Sequence, residues 1–533
     1  TMTDEDLVED GDALGGLEHD GATPFDVSRV EPRSRSLEWT FRFPMQQHHF
    51  DVGKSAEDPQ EDGTSWTVTH LDNLEGVVTL RRGSKHRDEP LPTAIVPTSP
   101  IQTTAQRAAL RRVAKSVLEG SGRYLHLERL LRRTPPLGGA SMQQLDIGAQ
   151  RDLLDAIGES FLVVQGPPGS GKTYLGARLI THLIRQGRKV GVVAQSHKVI
   201  HNLLDEVEDA AQEEGLHFRG VKFGNSYESL HVTTGRLPEV LDTSVDLVAG
   251  TAWLHAREEM DGVLDTLVID EAGQFSLADA VACGAAAHRL VLLGDPLQLA
   301  QVTQGVHPAG SDASVLEHVI GDEKTITPEL GVFLEETRRL HPDVCRFTSE
   351  AFYESRLRPD RSCRLRTTSA GTGVRWLPVE HEGNRVDSPE EVDVIRAVVD
   401  DLMGHSFTNA LGEKCDLQYD DVMVVAPYNA QVRLLREGLP AGVQVGTVDK
   451  FQGQEALVAI YSMASSSGED VPRGLDFLMS RNRLNVAVSR AQCLAYVACS
   501  PRLLEVDCKT VEHLKLANAL CLFAEHAGGL SGL

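Results

Sequence analysis

Gly166-Pro167-Pro168-Gly169-Ser170-Gly171-Lys172-Thr173 gathers glycines, one lysine and two hydroxyls into a single short turn. Glycine removes the side chains that keep an anion away from backbone N–H groups, so such a turn can wrap phosphate oxygens. The turn follows the apolar run Phe161–Val164 and opens a helical pattern from Thr173 to about Arg185. A helix N-terminus adds its own unpaired N–H groups and the positive end of its dipole. In this setting Gly166, Gly169, Ser170 and Gly171 form the cradle for a nucleoside triphosphate. Lys172 neutralises the β- and γ-phosphates, and Thr173 ligates Mg²⁺. ATP and Mg²⁺ are therefore the expected ligands.

Downstream, Leu267-Val-Ile-Asp270-Glu271-Ala-Gly-Gln274 delivers two carboxylates at the C-terminal end of an apolar run, where α/β sheets place their ligands. An acidic pair after a strand also serves as a plain helix cap. Behind a phosphate loop in the same domain, the chemical reading is favoured: Asp270 holds the Mg²⁺ and Glu271 orients or deprotonates the attacking water. A third run ends in Gly294-Asp295-Pro296-Leu297-Gln298, where Gln298 is placed to contact a γ-phosphate. Two more constellations lie near the C-terminus. Val445-Gly-Thr447-Val-Asp449-Lys-Phe-Gln-Gly-Gln-Glu455 couples a strand end to a helix start. Asn482-Arg483-Leu-Asn485-Val-Ala-Val-Ser489-Arg490 sets Arg483 and Arg490 two helical turns apart, on one expected helical face. Arg490 is the candidate arginine finger, against the plainer role of a surface ion pair.

These groups need a scaffold. From Gln150 onward, short apolar runs alternate with helical segments: Phe161–Val164, Val190–Ala194, Leu247–Ala249, Leu267–Ile269 and Leu290–Leu293. The texture resumes at Val422–Ala426, Val443–Val445, Val458–Tyr461 and Leu494–Ala498. That is the pattern of parallel α/β sheets, here two, joined near residues 325–336. The gap from Glu206 to about Leu241 has room for a small inserted element. Ahead of these, residues 37–100 read as short strands broken by turns, with Ser65–Thr69 alternating and Gly76–Leu80 following. A helix is expected from Thr103 or Thr104 to Glu119, stopped by Gly120, with Leu110, Val113, Val117 and Leu118 as its apolar positions.

Taken in order, these motifs resemble the superfamily 1 helicases, in the 5′-to-3′ branch that contains the nonsense-mediated-decay RNA helicase and related DNA helicases. The resemblance covers about residues 145–505. It implies two RecA-like motor domains at 145–335 and 336–533, preceded by an acidic tail or linker (1–35), a β-barrel (36–102) and a helical stalk (103–144). It also implies further roles. Gln150 falls on the adenine-reading glutamine. Ser196, in Ala194-Gln195-Ser196-His197, and Thr251, after Gly250, fall on nucleic-acid contacts. In Glu336-Thr-Arg338-Arg339-Leu-His-Pro342, Arg339 falls on a phosphate-contacting arginine, and Arg338 stands where the family has an aromatic that stacks on adenine. Thr447 and Asp449 match nucleic-acid and coupling positions, and Glu455 a nucleotide-ribose position. Glu391, Pro427, Tyr428 and Gln431 fit later, weaker motifs.

Composition narrows the class. The chain has 533 residues with 52 Lys+Arg against 77 Asp+Glu, a net charge of −25. That balance excludes a passive, charge-driven nucleic-acid coat. Any basic track must be local, and Arg107, Arg111, Arg112, Lys115, Arg123, Arg129, Arg132 and Arg133 crowd one region. The first twenty residues carry carboxylates and no Lys or Arg, the pattern of a solvated tail. No apolar run approaches the ~18 residues of a membrane span, and the N-terminus does not read as a signal peptide. The eight cysteines form no CxxC pair, so reduced thiols in a cytoplasmic protein are expected. Some bacterial relatives carry a RecB-like nuclease ahead of the motor. Residues 1–145 lack its carboxylates and lysine, and a chain opening on Thr1 is expected to be a piece of a longer one.

Three activities are compatible with these residues: an ATP-dependent 5′-to-3′ helicase on single-stranded DNA, a translocase that moves without unwinding and serves a nuclease in cis or in trans, and a nucleotide-gated RNA or DNA clamp. Glu271, Gln298 and Arg490 together disfavour the clamp. The motor is expected to act as a monomer.

Overall fold

The computed structural model describes residues 13–528 apart from 20, 32–33, 45, 47, 49, 51, 61–64, 74, 99–102, 145, 300, 302–306, 309, 449, 452, 470 and 472–473. The expectations for Asp449 and for most of the acidic block lie outside the described residues.

The N-terminal module is an antiparallel sheet of β1 (Glu18–His19), β2 (Phe25–Asp26), β3 (Ser36–Arg42), β4 (Ser55–Glu57), β5 (Ser65–Asp72), β6 (Val77–Gly83) and β7 (Val96–Pro97), in the order β1-β3-β6-β5-β4-β7 with β2 also on β3. Period-two alternation turns Leu37, Trp39 and Phe41 of β3, Trp66 and Val68 of β5, and Val78 and Leu80 of β6 into one core. The Arg82 guanidinium lies over Trp66, 4.1 Å from the ring centre, and over Trp39 at 5.1 Å. Paired backbone bonds between Leu14 and Ile95, at 2.8 and 2.9 Å, tie the two ends of the strand order together. This corrects the reading of residues 1–35 as tail or linker. Leu14 and Leu17 are buried in this core, and β1 and β2 pair with β3. Isolated leucines among acids show no period, and it is pairing with the distant Thr93 and Ile95 that gives them a place.

The helix Thr104–Glu119 ends where Gly120 takes φ 63°, a left-handed cap that a side chain would strain. Its buried face is Gln106, Ala109, Val113 and Ser116, whereas Val117 and Leu118 are exposed. The small side chains are selected because Ala109 packs on Ala256 and Ala282 of the motor, where a larger residue would hold the helix away.

Two parallel sheets follow. The first comprises β8 (Phe161–Gln165), β9 (Val190–Val193), β10 (Gly220–Phe223), β11 (Val232–Gly235), β12 (Leu247–Ala249), β13 (Leu264–Ile269), β14 (Ala287–Gly294) and β15 (Gly331–Phe333), in the order β11-β10-β12-β9-β13-β14-β8-β15. Its central strands run mostly apolar because helices cover both faces, whereas the outer β11 carries Thr233 and Thr234 exposed. The inserted segment after Glu206 supplies the outer strands β10 and β11. Short strands β16 (Glu336–Thr337) and β17 (Arg358–Pro359) pair with each other, and β18 (Thr367–Thr368), β20 (Ser406–Thr408) and β21 (Lys414–Asp416) form a small antiparallel sheet. The second parallel sheet joins β19 (Gly373–Pro378), β22 (Val422–Ala426), β23 (Gln444–Thr447), β24 (Ala456–Ser462) and β25 (Ala491–Cys499), in the order β19-β25-β24-β22-β23. The architecture is thus α/β with two parallel-sheet domains. The described cysteines are all free thiols, and no group of three or more His, Cys, Asp or Glu suited to a metal occurs among the described residues.

Candidate nucleotide cleft

β8 ends at Gln165, and the chain turns through Gly166–Gly171 into the helix Lys172–Arg185. The turn is pinned from three sides. Gly166 N–H donates to Gly294 O at 2.9 Å, Thr337 Oγ1 donates to Pro168 O at 2.9 Å, and Arg338 N–H donates to Gly169 O at 2.9 Å. Gly169 has φ +73°, and a Cβ there would lie 2.8 Å from Thr337 Oγ1 and press on Arg339. The glycine is needed both for backbone conformation and for the approach of the second domain. Lys172 Nζ donates to Gly166 O at 2.6 Å, so the ammonium already spans the mouth of the turn. Ser170 Oγ is buried without a hydrogen-bond partner among the described residues. An orphaned hydroxyl inside a ring of N–H groups and one ammonium is what an anion would satisfy.

Opposite the turn, β13 delivers Asp270 and Glu271. Glu271 adopts φ 50° and ψ 44°, a left-handed conformation that costs a non-glycine residue energy and recurs at functional sites. The bend lets Glu271 N–H donate to Asp270 Oδ1 at 2.9 Å. Burial, reinforced by the neighbouring Glu271 charge, pushes the Asp270 carboxyl up to about 7, while the Glu271 N–H and Lys172 pull the other way. Two crowded acids with this penalty fit a divalent cation, whose charge removes it. From β14, Gln298 Nε2 reaches Asp295 Oδ2 at 3.4 Å. Asp295 is fully buried, which raises its pKa against the opposing field of Lys172.

The far wall belongs to the second domain. Arg339 Nε donates to Glu455 Oε2 at 2.5 Å, and Arg490 Nη1 donates to Gln454 O at 2.9 Å. Together these groups enclose a cavity of about 540 Å³, within the range of small-molecule sites. Its walls hold Gly169, Ser170, Gly171, Lys172, Thr173, Asp270, Glu271 and Gln298 from the first domain and Arg339 and Arg490 from the second.

Apart from Ser196, the other residues singled out from sequence lie outside this lining. Gly166 sits behind the turn. The buried Gln150 turns its amide back, Nε2 donating to Gln144 O at 2.7 Å. Arg338 is exposed and meets the turn through its backbone. Glu455 braces Arg339 from outside, and Gln492 Nε2 holds its other oxygen at 2.7 Å. Thr251 precedes the short helix Ala252–His255, and Thr447 closes β23. Ser196 is on the cleft wall, where its hydroxyl caps the helix His197–Glu214.

One expectation is corrected. The helix carrying Arg483 runs Arg481–Val488, so Arg490 lies beyond its end and shares no helical face with Arg483. Arg483 instead lies over Phe477, 3.9 Å from the ring centre. The turn at Ser489 is what swings Arg490 into the cleft. Sequence reasoning also missed Tyr174, Lys198, Asn202 and Lys450, which line the same cavity. Tyr174 and Lys198 stand directly after quoted motifs and Lys450 lies inside one, whereas Asn202 carries no local signal.

Two family models, both described as AAA domain, match residues 147–313 and 311–502, one on each parallel-sheet domain. Among curated proteins, the DNA polymerase alpha-associated DNA helicase A of Schizosaccharomyces pombe is 23% identical over 411 residues, covering 62% of this chain and 59% of that protein. The DNA replication ATP-dependent helicase/nuclease DNA2 of Saccharomyces cerevisiae is 24% identical over 387 residues, 64% of this chain and 25% of that protein. In both parallel-sheet domains the chain is similar to the superfamily 1 helicases. It spans about three fifths of the first relative's length and a quarter of the second's. The DNA-binding protein SMUBP-2 of Mesocricetus auratus is 23% identical over 452 residues, 68% of this chain and 43% of that protein. A solved structure, the arterivirus nonstructural protein 10 helicase, aligns over 86% of this chain and 76% of its own with 15% identity and a TM-score of 0.42. No helix among the described residues is long and apolar enough to cross a membrane.

Proposed function

We propose that this protein couples Mg-ATP hydrolysis to 5′-to-3′ movement on single-stranded DNA and to duplex unwinding. The observation that carries the reading is the composite cleft. Lys172, Thr173, Asp270, Glu271 and Gln298 face Arg339 and Arg490 across one cavity, so a bound triphosphate bridges the two domains. Lys172 and the N–H groups of the turn hold the β- and γ-phosphates. Thr173 and Asp270 would hold Mg²⁺, which supplies positive charge to the phosphate oxygens. Glu271 orients the attacking water, and Arg339 and Arg490 stabilise charge on the transferring phosphoryl group. Loss of the γ-phosphate removes the anion that the two arginines share with Lys172, and the domains lose their common tether. A change of grip on the strand follows if the two nucleotide states differ in strand affinity.

Ser196, Thr251 and Thr447 are the proposed contacts to the backbone of the strand, and Asp449 is the proposed coupling position. Phosphate contacts suit a motor, which must ignore base sequence. The stalk contributes less positive charge than its composition suggests. Arg123 and Arg112 are drawn to Asp261, Arg129 donates to Glu159 O, and Arg133 donates to Val319 O and Ile320 O. Arg107 and Arg111 stay exposed and are the stalk residues placed to touch a phosphate backbone. DNA is preferred to RNA because two of the similar proteins carry DNA in their names as helicases and one as a binding protein. A nuclease in cis or in trans is a proposed partner, since one similar protein is named a helicase/nuclease.

The test is ATP turnover at one fixed low salt with no polymer, single-stranded DNA and single-stranded RNA, followed by unwinding of duplexes with 5′ or 3′ overhangs. Stimulation by DNA and unwinding from a 5′ overhang support the proposal. Stimulation without unwinding from either overhang leaves a translocase, and no stimulation by either polymer refutes the motor reading.

A further inference from the structure

The cleft is also connected at its floor, away from the nucleotide. Tyr353 follows the helix Pro342–Phe352, which packs on the second sheet, yet its side chain is entirely buried against the first domain. Its hydroxyl donates to Asp295 Oδ2 at 2.7 Å and accepts from Asn485 Nδ2 at 2.8 Å. Asn485 Nδ2 also donates to Leu297 O at 2.7 Å, and Asn482 Nδ2 donates to Pro296 O at 3.0 Å. Asn482 and Asn485 are one turn apart on the helix Arg481–Val488, so they present one face to residues 295–297. The Asn485 amide is fixed in this sense, because turning it over would set its oxygen against the Leu297 carbonyl. On the other side, Gln298 Nε2 shares the same Asp295 oxygen at 3.4 Å. Asp295, Tyr353 and Asn485 are each at most 1% exposed, so no water competes for these bonds.

We propose that Tyr353 is a positioning residue that couples the state of Gln298 to the helix Arg481–Val488 and, through Ser489, to Arg490. The inference rests on the motor reading given above. One carboxylate oxygen serves two donors from opposite domains. When Gln298 turns toward a γ-phosphate it gives up its share of Asp295 Oδ2, and the Tyr353 hydroxyl becomes that oxygen's principal partner. The Tyr353–Asn485 bond carries the change to the segment that aims Arg490. In a buried, low-dielectric site such a chain of bonds responds as a unit rather than bond by bond. Neither Tyr353 nor Asn485 touches the nucleotide cavity, so their effect must pass through Gln298 and Arg490.

Tyr353→Phe removes one hydroxyl and keeps the ring. The experiment measures kcat and KM for ATP, with and without single-stranded DNA, for wild type, Tyr353→Phe, Gln298→Ala and the double variant, with melting temperatures alongside. The expected result is a fall in kcat of about tenfold at unchanged KM, within the usual span of coupling between sites, and loss of DNA stimulation. The double variant should be no slower than Gln298→Ala alone. Losses that multiply, or wild-type kcat and stimulation in Tyr353→Phe, overturn the coupling. If Tyr353→Phe does not fold, the same cycle is run with the half-buried Asn482→Ala, and multiplying losses there overturn it equally. Failure of the motor reading shows differently: wild type then lacks polymer-stimulated turnover, or Lys172→Ala retains it.

Discussion

Lys172 Nζ and Gly166 O lie 2.6 Å apart, so the lysine of the phosphate turn is held by the backbone of that same turn. The ammonium is thus placed across the mouth of the cradle before any phosphate arrives, and a β- or γ-phosphate oxygen only has to replace a neutral carbonyl. Lys172→Ala should abolish ATP hydrolysis while leaving the melting temperature near wild type, because the exchanged bond is a local one. Steady-state phosphate release decides it, and unchanged turnover would refute the phosphate assignment.

Arg490 gives a different signature. Its guanidinium is 3% exposed and already bonded to Gln454 O, so the site is built to hold it. Arg490→Ala should leave nucleotide binding close to normal and lower turnover by roughly 10³-fold, the low end for an arginine finger. Fluorescent-nucleotide titration beside turnover separates the cases. Equal losses in binding and turnover indicate a structural role.

Gly169→Ala tests how close the two domains come at the turn. The new Cβ would lie 2.8 Å from Thr337 Oγ1 with φ at +73°. The left-handed conformation alone costs an alanine about 1–2 kcal/mol, and the clash pushes Thr337 and Arg339 away. Nucleotide affinity should fall and the melting temperature should drop. Wild-type values for both would show that the domains do not need this approach.

Asp270 links stability to pH. Its folded-state pKa, raised to about 7, exceeds the ordinary aspartate value of 3.8, so between these values the folded chain binds more protons than the unfolded one. Stability in a chelator should therefore fall as pH rises through that window and level off above it. Asp270→Asn should remove this part of the slope, and Mg²⁺ should restore wild-type stability at pH 8 but do less for the variant. Melting curves from pH 4 to 8 in EDTA measure it, and identical slopes for the two proteins would mean that Asp270 is not the titrating group.

The motifs of the cleft were legible because each is local. A glycine-rich turn needs only its own backbone to cradle phosphate, and an acidic pair needs only the end of its strand. The central strands of both parallel sheets were legible for a related reason, since burial on both faces requires continuous apolar runs, whereas β10, β11, β15 and β19 were not among the runs read. The stalk helix shows the limit. Its boundaries follow from Thr104 and Gly120, but its buried face does not follow from its most apolar residues. Val117 and Leu118 point outward because Ala256 and Ala282 accept only the small face of Ala109. The same holds for Leu14 and Leu17, whose burial depends on pairing with the distant Ile95 and Thr93.

What the sequence alone made legible is therefore the order of the motifs, the chemistry to be expected of each and, by resemblance, the helicase family, since side-chain type and near-neighbour spacing are local properties. What only the tertiary structure decided is which residues from the two domains meet. Arg490 reaches the cleft through the turn after Val488, and Arg339 is steadied by Glu455. Tyr353, with no sequence signal of its own, lies between Asp295 and Asn485. Such contacts depend on the docking of two sheets, and sequence spacing carries no record of that docking.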